Sequence, residues 1–413
     1  MSDAGATVDG PGAAASAARP LAGVRVLDLS RIIAGPLAAQ YLADLGAQVV
    51  KVERPGGGDD ARGYVFPSTW SGESTMFLSF NRGKRSVVLD LDEAGDRSAF
   101  QALLAETDVL LENFRPGVME RLGLGWDALS ARCPRLVMCS VSGFGADGPA
   151  AGTGANDLVA QASCGLMALN AGDDGRPRKV APAVVDLFTA VNAALAIVAA
   201  LRARDASGRG SRVTTSLFEC GVALQSYFAT GAFAELAAGR TPDMAAAASA
   251  TVTVPNQAFR CGDGWIVVAC SNDAMFARLA AALADPTLAT DARFATNAAR
   301  TVHRDALVAR LDAAFAADAR DAWVARLEAH KVSASGVLRP EEALAHPQAV
   351  HLGLAAASAH TRIDGLRTPA VPFSIDGVRP CAPMGPPLLG EHDAGLPGRE
   401  GARSARTARE TRG

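Results

Sequence analysis

The chain has 413 residues, of which 49% are hydrophobic and 20% charged, and its formal net charge is −3. That is a globular balance, with apolar material for two or three domains at roughly 150 residues each. It lacks the positive field that nucleic acid or an anionic membrane surface attracts, so neither is expected as a partner.

Seven cysteines, at 133, 139, 164, 220, 261, 270 and 381, include no CxxC pair. A metal ribbon, an iron–sulfur cluster and a disulfide framework are therefore disfavoured; no metal site is expected, and a reduced, cytoplasmic location is. There is no run of 18 consecutive apolar residues and no apolar leader at the N-terminus, so neither a membrane span nor a signal peptide is expected. All six histidines lie at 303 or later, so chemistry built within the first 302 residues needs another base or nucleophile.

In chain order, residues 1–19 read as a disordered arm. Val24–Leu29 is a short apolar strand, and Ala34–Leu45 has helical apolar spacing with Pro36 suited to its first turn. Strands follow at 47–53 (AQVVKVE), 86–91, 108–111 and 136–141, with a helix over 97–106. This alternation predicts a doubly wound, mostly parallel α/β sheet. The loop after the first strand, SRIIAGP, has no GxGxxG, so a dinucleotide cofactor is unsupported. Residues 157–224 read as helical. Residues 255–335 read as a separate α+β unit whose first two strands turn at Gly262-Asp263-Gly264. The proline-rich stretch 340–395 reads as a segment returning to the first domain. The division expected is a large domain over 20–225 and 336–395, with a small domain and its linkers at 226–335. An arginine-bearing tail at 396–413, without aromatics, reads as solvated.

Asp186 is the one charge among the 22 residues from Val180 to Leu201. An unpaired carboxylate there would be costly to bury. It fits a helix N-cap, and it fits a nucleophile that the helix N-terminus keeps ionised at neutral pH. The two roles are compatible. Asn81-Arg82-Gly83-Lys84-Arg85-Ser86 places three cations before a strand, as a solvated turn or as a phosphate site. Glu112 to Gly117 and Ser142 to Gly145 follow strands, so their loops gather on the rim where ligands bind in open sheets. The combined rim suits a large anionic ligand with a planar base.

The segments DLSRIIAGP, LGAQVVKVERPGGGD, FNRGKRSVVLDL, ENFRPGVMERLG, SVSGFGADGP, the Asp186 stretch followed by SGRGSRVTTSLFE, and PPLLGEH occur in this order. Together they resemble the class III CoA-transferases, the superfamily of formyl-CoA and carnitine CoA-transferases and α-methylacyl-CoA racemase. The likeness spans nearly all of 20–395. It implies an α/β fold with an open Rossmann-like large domain, a smaller inserted α+β domain, and an interlocked homodimer. The substrate implied is a coenzyme A thioester, with no permanently bound cofactor. Matched motif by motif, the CoA contacts fall on Ile32, Ile33, Arg54, Phe80, Asn81, Arg82, Gly83, Asn113, Phe114, Arg115, Arg121, Ser142, Gly143, Phe144 and Gly145. Asp186 falls on the catalytic aspartate.

The activity implied is transfer of CoA from an acyl-CoA donor, with succinyl-CoA a candidate, to a free carboxylic acid through aspartyl anhydride and aspartyl-CoA thioester intermediates. Two departures narrow it. Racemases of the superfamily carry a His in a Gly-His-Asp segment, where this chain has Gly154-Ala155-Asn156-Asp157, and an amide cannot shuttle the proton. The formyl-CoA branch has a mobile glycine run where this chain reads DMAAAASATVTVPN. The alternatives are an acyl-CoA racemase or isomerase of the same fold and a non-catalytic CoA-binding protein. Arg31 is a candidate for a second substrate carboxylate, against a structural or CoA-phosphate role.

Overall fold

Six parallel strands form the frame of the large unit: β1 (Arg25–Asp28), β2 (Gln48–Glu53), β3 (Lys84–Val88), β4 (Val109–Glu112), β5 (Val137–Ser142) and β6 (Arg212–Ser216). Their order across the sheet is β3-β2-β1-β4-β5-β6. The computed structural model describes residues 19–396 apart from 173 and 250–252. The expected arm and tail, but for Arg19 and Leu396, lie outside the described residues.

Apolar layers cover both faces of the central strands, so Val109, Leu110 and Leu111 of β4 are all fully buried although their side chains alternate. One layer contains α1 (Ala34–Asp44) and the long α4 (Val184–Ser207). On α4 the buried positions Val185, Thr189, Ala193, Ile197 and Leu201 recur every fourth residue, which aligns them as one stripe. Small residues, Ala38, Ala39 and Ala43 on α1 and Ala190, Ala193 and Ala194 on α4, let the two helices pack closely. The helix α4 is long and apolar enough to cross a membrane by length and composition, although polar residues interrupt its apolar run. Its buried stripe is part of the sheet's core. The other layer holds α2 (Ala94–Ala105), whose Ala99, Phe100 and Leu104 meet Leu27, Leu110 and Met138.

Two expectations need correction. Strand β3 begins at Lys84, not at Ser86, because Lys84 is buried against Asp28 and its charge does not hold the backbone at the surface. The stretch 157–224 is not wholly helical: α3 (Asp157–Ser163) and α4 are followed by β6, then α5 (Leu217–Ala223). The β-branched run Val213-Thr214-Thr215 after Gly208 and Gly210 was the signal for that strand.

The described residues divide into two compact units: those up to Pro242 with those from His351 onward, and Asp243–Val350. In the second, β7 (Asn256–Arg260) and β8 (Trp265–Ala269) form the expected antiparallel hairpin, and β9 (Ser333–Gly336) adds a third strand to β8. Phe259, Ile266, Phe276, Leu311, Phe315 and Trp323 build its own core. In the first unit, the returning PPLLGEHD segment closes the free edge of β3. His392 donates its N–H to Ser86 O at 3.0 Å, and Asp393 accepts the N–H of Val88 at 2.8 Å. This pairing removes an open sheet edge.

Candidate active site

Strands β1 and β4 are neighbours whose chain connections run to opposite sides, which makes the space beyond their C-terminal ends a topological switch point. A cleft of about 620 Å³ opens there. The loop after β1 supplies Arg31, Ile32 and Ile33; the loop after β4 supplies Asn113, Phe114 and Arg115; the end of β5 supplies Ser142 and Gly143; and α4 supplies Asp186. The N-terminus of α1 also faces it at Ala34 and has no side-chain cap, so its open N–H groups favour an anion.

The β1 loop is held from two sides. Asn113 accepts the N–H of Arg31 and donates to Arg31 O, both at 2.8 Å. The Arg31 guanidinium lies 5.1 Å from the centre of the Phe114 ring. Ile32 has φ 73°, a left-handed backbone that β-branched residues avoid, and its N–H is accepted by the buried Asp59 at 3.0 Å. Asp59 is paired with Lys51 at 2.8 Å. Burial works against its ionisation, but the Lys51 charge and the backbone donors outweigh that and hold its carboxyl below the usual range.

Asp186 is not the N-cap of α4, contrary to one sequence expectation. It is the third helical residue, and Ala183 at the cap position offers no side-chain bond. The capping acceptor comes from another helix: Asp157 takes the N–H groups of Val185 at 2.9 Å and Asp186 at 3.2 Å. Asp157 is itself set by Gln161, which donates to it at 2.6 Å and also bonds both backbone groups of Val180. Asn156 caps α3 by accepting the Val159 N–H at 3.1 Å. Asn156 thus has a structural task. Burial first, and then the Asp157 charge, push the Asp186 carboxyl up to about 7. The expectation that the helix N-terminus keeps it ionised at neutral pH is corrected: burial beside a second carboxylate raises its carboxyl into the neutral range.

Of the residues expected to contact CoA, the cleft gathers Ile32, Ile33, Asn113, Phe114, Arg115, Ser142 and Gly143. Arg54, Phe80, Asn81, Arg82, Gly83, Arg121, Phe144 and Gly145 do not line it. Two of the three cations in the loop, Arg82 and Lys84, are buried in ion pairs and do not face a ligand, while Arg85 is exposed. Arg82 is fully buried and grips Asp44 at 2.7 Å with a further bond to Pro369 O, while Lys84 reaches Asp28 at 2.8 Å. Asn81 bonds Lys84 and Phe77 O. Gly83 has φ 80°, and a Cβ there would stand 2.4 Å from the Cβ of Ala382, so its role is close packing. Arg54 bonds Gly58 O and Asp60; Arg121 is an exposed side chain 3.8 Å from Asp92. Phe144 stacks against Phe218 at 5.6 Å, and Gly145 donates to Ser142 Oγ. Sequence reading missed Asp59 and Lys51. The signal was present: Lys51 is a lone cation inside the apolar strand AQVVKVE, as Asp186 is a lone anion in its own stretch.

Comparison with known proteins identifies the family. The family model for CoA-transferase family III matches residues 21–393. Succinyl-CoA:glutarate CoA-transferase from Mus musculus is 33% identical over 374 residues, covering 91% of this chain and 85% of its own. Acetyl-CoA:oxalate CoA-transferase from Acetobacter aceti is 36% identical, covering 91% and 95%. The crystal structure of a CAIB/BAIF family protein from Brucella suis superposes with a TM-score of 0.82 at 34% identity, covering 91% of this chain and 98% of that one. A parallel sheet with a charged cleft at its switch point, matched to the family over nearly its whole length, places this chain in the family III CoA-transferases. It is an enzyme of acyl-CoA metabolism, acting on CoA thioesters.

Proposed function

We propose that the enzyme moves CoA from an acyl-CoA donor, succinyl-CoA being the first candidate, to a free carboxylic acid by way of Asp186. The observation that carries this reading is a half-buried carboxylate on the first turn of α4, lining a cleft whose other walls are the β1 and β4 loops. Succinyl-CoA is taken from the name of the mammalian relative.

In the proposed sequence the ionised Asp186 oxygen attacks the donor thioester carbonyl. The C–S bond breaks, leaving an aspartyl–acyl anhydride and CoA thiolate. The thiolate attacks the aspartyl carbonyl, releasing the donor carboxylate and leaving Asp186 as its CoA thioester. The acceptor carboxylate attacks that thioester and expels the thiolate, and the thiolate attacks the acceptor carbonyl of the new anhydride. Acyl-CoA product and the Asp186 carboxylate result. Each step exchanges one activated acyl group for another, and water must be kept out because anhydride and thioester both hydrolyse. Arg31 and Arg115 line the cleft alongside Asp60, and the open N-terminus of α1 faces it; these donors support binding of an anionic CoA thioester.

An interlocked homodimer is part of the proposal. Its support is apolar surface that a lone chain leaves exposed: Val191 and Leu195 on α4, and Tyr227, Phe233 and Leu236 on the helix Ser226–Ala237. The test of function is a screen in which purified protein, succinyl-CoA and candidate acids are assayed for new acyl-CoA, in parallel with α-proton exchange in D2O. Transfer that requires an acceptor acid supports the reading. Rapid α-exchange without acceptor replaces it with a racemase.

A further inference from the structure

Lys51 and Asp59 are paired at 2.8 Å with both side chains essentially inaccessible to water. A buried ion pair adds little net stability over an apolar pair of similar volume, so its presence asks for another reason. The remaining bonds of the pair converge on one loop. Lys51 donates to Ser30 O at 2.7 Å, and Asp59 accepts from Ile32 N–H at 3.0 Å and from Ala61 N–H at 2.9 Å. The pair therefore grips the chain on either side of Arg31. Lys84 reinforces the same loop from β3: it bonds Asp28 and Pro36 O, both at 2.8 Å, and Asp28 accepts the N–H of Ser30 at 2.9 Å. Between these grips Ile32 sits at φ 73°, a conformation that is costly for a β-branched residue and persists only where surroundings over-determine it.

We infer that Lys51 and Asp59 are positioning residues for substrate binding: the Asp59 carboxylate, set in place by Lys51, locks Ile32 in its left-handed conformation by accepting its N–H, so that residues 31–33 present a fixed edge to the CoA thioester. Neither touches substrate. The inference rests on reading this cleft as the acyl-CoA site. It also explains the Lys51 and Asp59 positions of the VVKVERPGGGD motif, which line no part of the cleft.

The test compares two double variants, Lys51→Met with Asp59→Asn and Lys51→Met with Asp59→Leu. Both remove the charges and the Lys51 bond to Ser30, but only the first keeps an oxygen for the Ile32 and Ala61 N–H groups. Three quantities are read in the full-length enzyme: Kd for free CoA, KM and kcat with succinyl-CoA, and hydrogen exchange of the peptide spanning residues 29–34. The leucine variant is expected to bind CoA about tenfold or more weakly than the asparagine variant. Its KM should rise in step, its kcat should differ by less than about threefold, and its 29–34 peptide should exchange faster. Equal CoA affinity in the two variants, or equal exchange at 29–34, overturns the inference. If the wild type itself binds no CoA, the reading of the cleft fails, while the exchange comparison still decides whether the pair holds the loop. Should the leucine variant not fold, Asp59→Ala against wild type, read by the same exchange and CoA affinity, decides it.

Discussion

A single oxygen of Asp157, Oδ1, accepts the backbone N–H groups of both Val185 and Asp186, at 2.9 and 3.2 Å. One carboxylate thus caps the helix that carries the candidate nucleophile and stands beside that nucleophile. The cap fixes where Asp186 begins its side chain; the charge raises the pH at which Asp186 ionises.

A pH dependence follows. Because burial and Asp157 push the Asp186 carboxyl up to about 7, kcat/KM for the acyl-CoA should rise with pH along a limb centred near that value. Asp157→Asn removes the neighbouring charge and keeps an oxygen for the two N–H groups, so the limb should move to lower pH. A pH–rate profile between about pH 5 and 9 measures both. A limb that stays in place in the variant would show that Asp157 does not tune Asp186.

The same shift bears on stability. Asp186 holds a proton in the folded state at pH values where the unfolded chain, near 3.8, has released it. The folded state therefore loses relative stability as pH rises from about 4 through about 7, and the full cost is present above that. Asp186→Asn should abolish transfer yet stabilise the protein at pH 8, by at most about 4 kcal/mol and by less where solvent screens the half-buried group, with little effect at pH 4. Thermal melts at the two pH values check the sign. Equal effects at both would mean that the carboxyl is not raised.

The Asn113 clamp predicts a binding defect. Asn113→Ala removes two bonds to the Arg31 backbone and should cost about 1–2 kcal/mol in substrate affinity. The KM for acyl-CoA should rise several-fold and that for the acceptor acid little. Equal rises would place the β1 loop in contact with both substrates.

Arg82 predicts the opposite pattern. Arg82→Leu leaves Asp44 as an uncompensated buried charge, a loss of about 3–5 kcal/mol. The melting temperature should fall steeply, with no selective change in KM for acyl-CoA in the protein that remains folded. Arg121→Ala, at an exposed side chain, should leave the melting temperature within the range of ordinary surface changes. A selective acyl-CoA defect in Arg82→Leu would restore that residue to the ligand site.

The parts of the fold legible in sequence were those written in apolar periodicity. Strands β1, β2, β4 and β5 and helices α1 and α2 fall within a few residues of their expected places, because their signals are local. Strand β6 was hidden by its composition: an edge strand with exposed Arg212 and Thr214 has no continuous apolar run. The rim loops at Asn113–Arg115 and Ser142–Gly143 were legible because their places at strand ends follow from the βαβ rhythm. Arg82, Lys84 and Lys51 were misread or passed over for one reason. A charged residue in sequence looks solvated, and its buried partners, Asp44, Asp28 and Asp59, lie on other elements that only the fold brings near. The Asp157 cap on α4 was invisible likewise, since its acceptor comes from a different helix.

Covalent trapping on Asp186 tests the central claim most directly. The enzyme is incubated with succinyl-CoA and hydroxylamine without acceptor acid, digested, and the peptide bearing Asp186 is weighed. The account predicts a hydroxamate on Asp186 that depends on acyl-CoA, and its absence from Asp186→Ala. An unmodified Asp186 peptide from enzyme that transfers CoA once acceptor acid is supplied, or transfer sustained by Asp186→Ala, would contradict it.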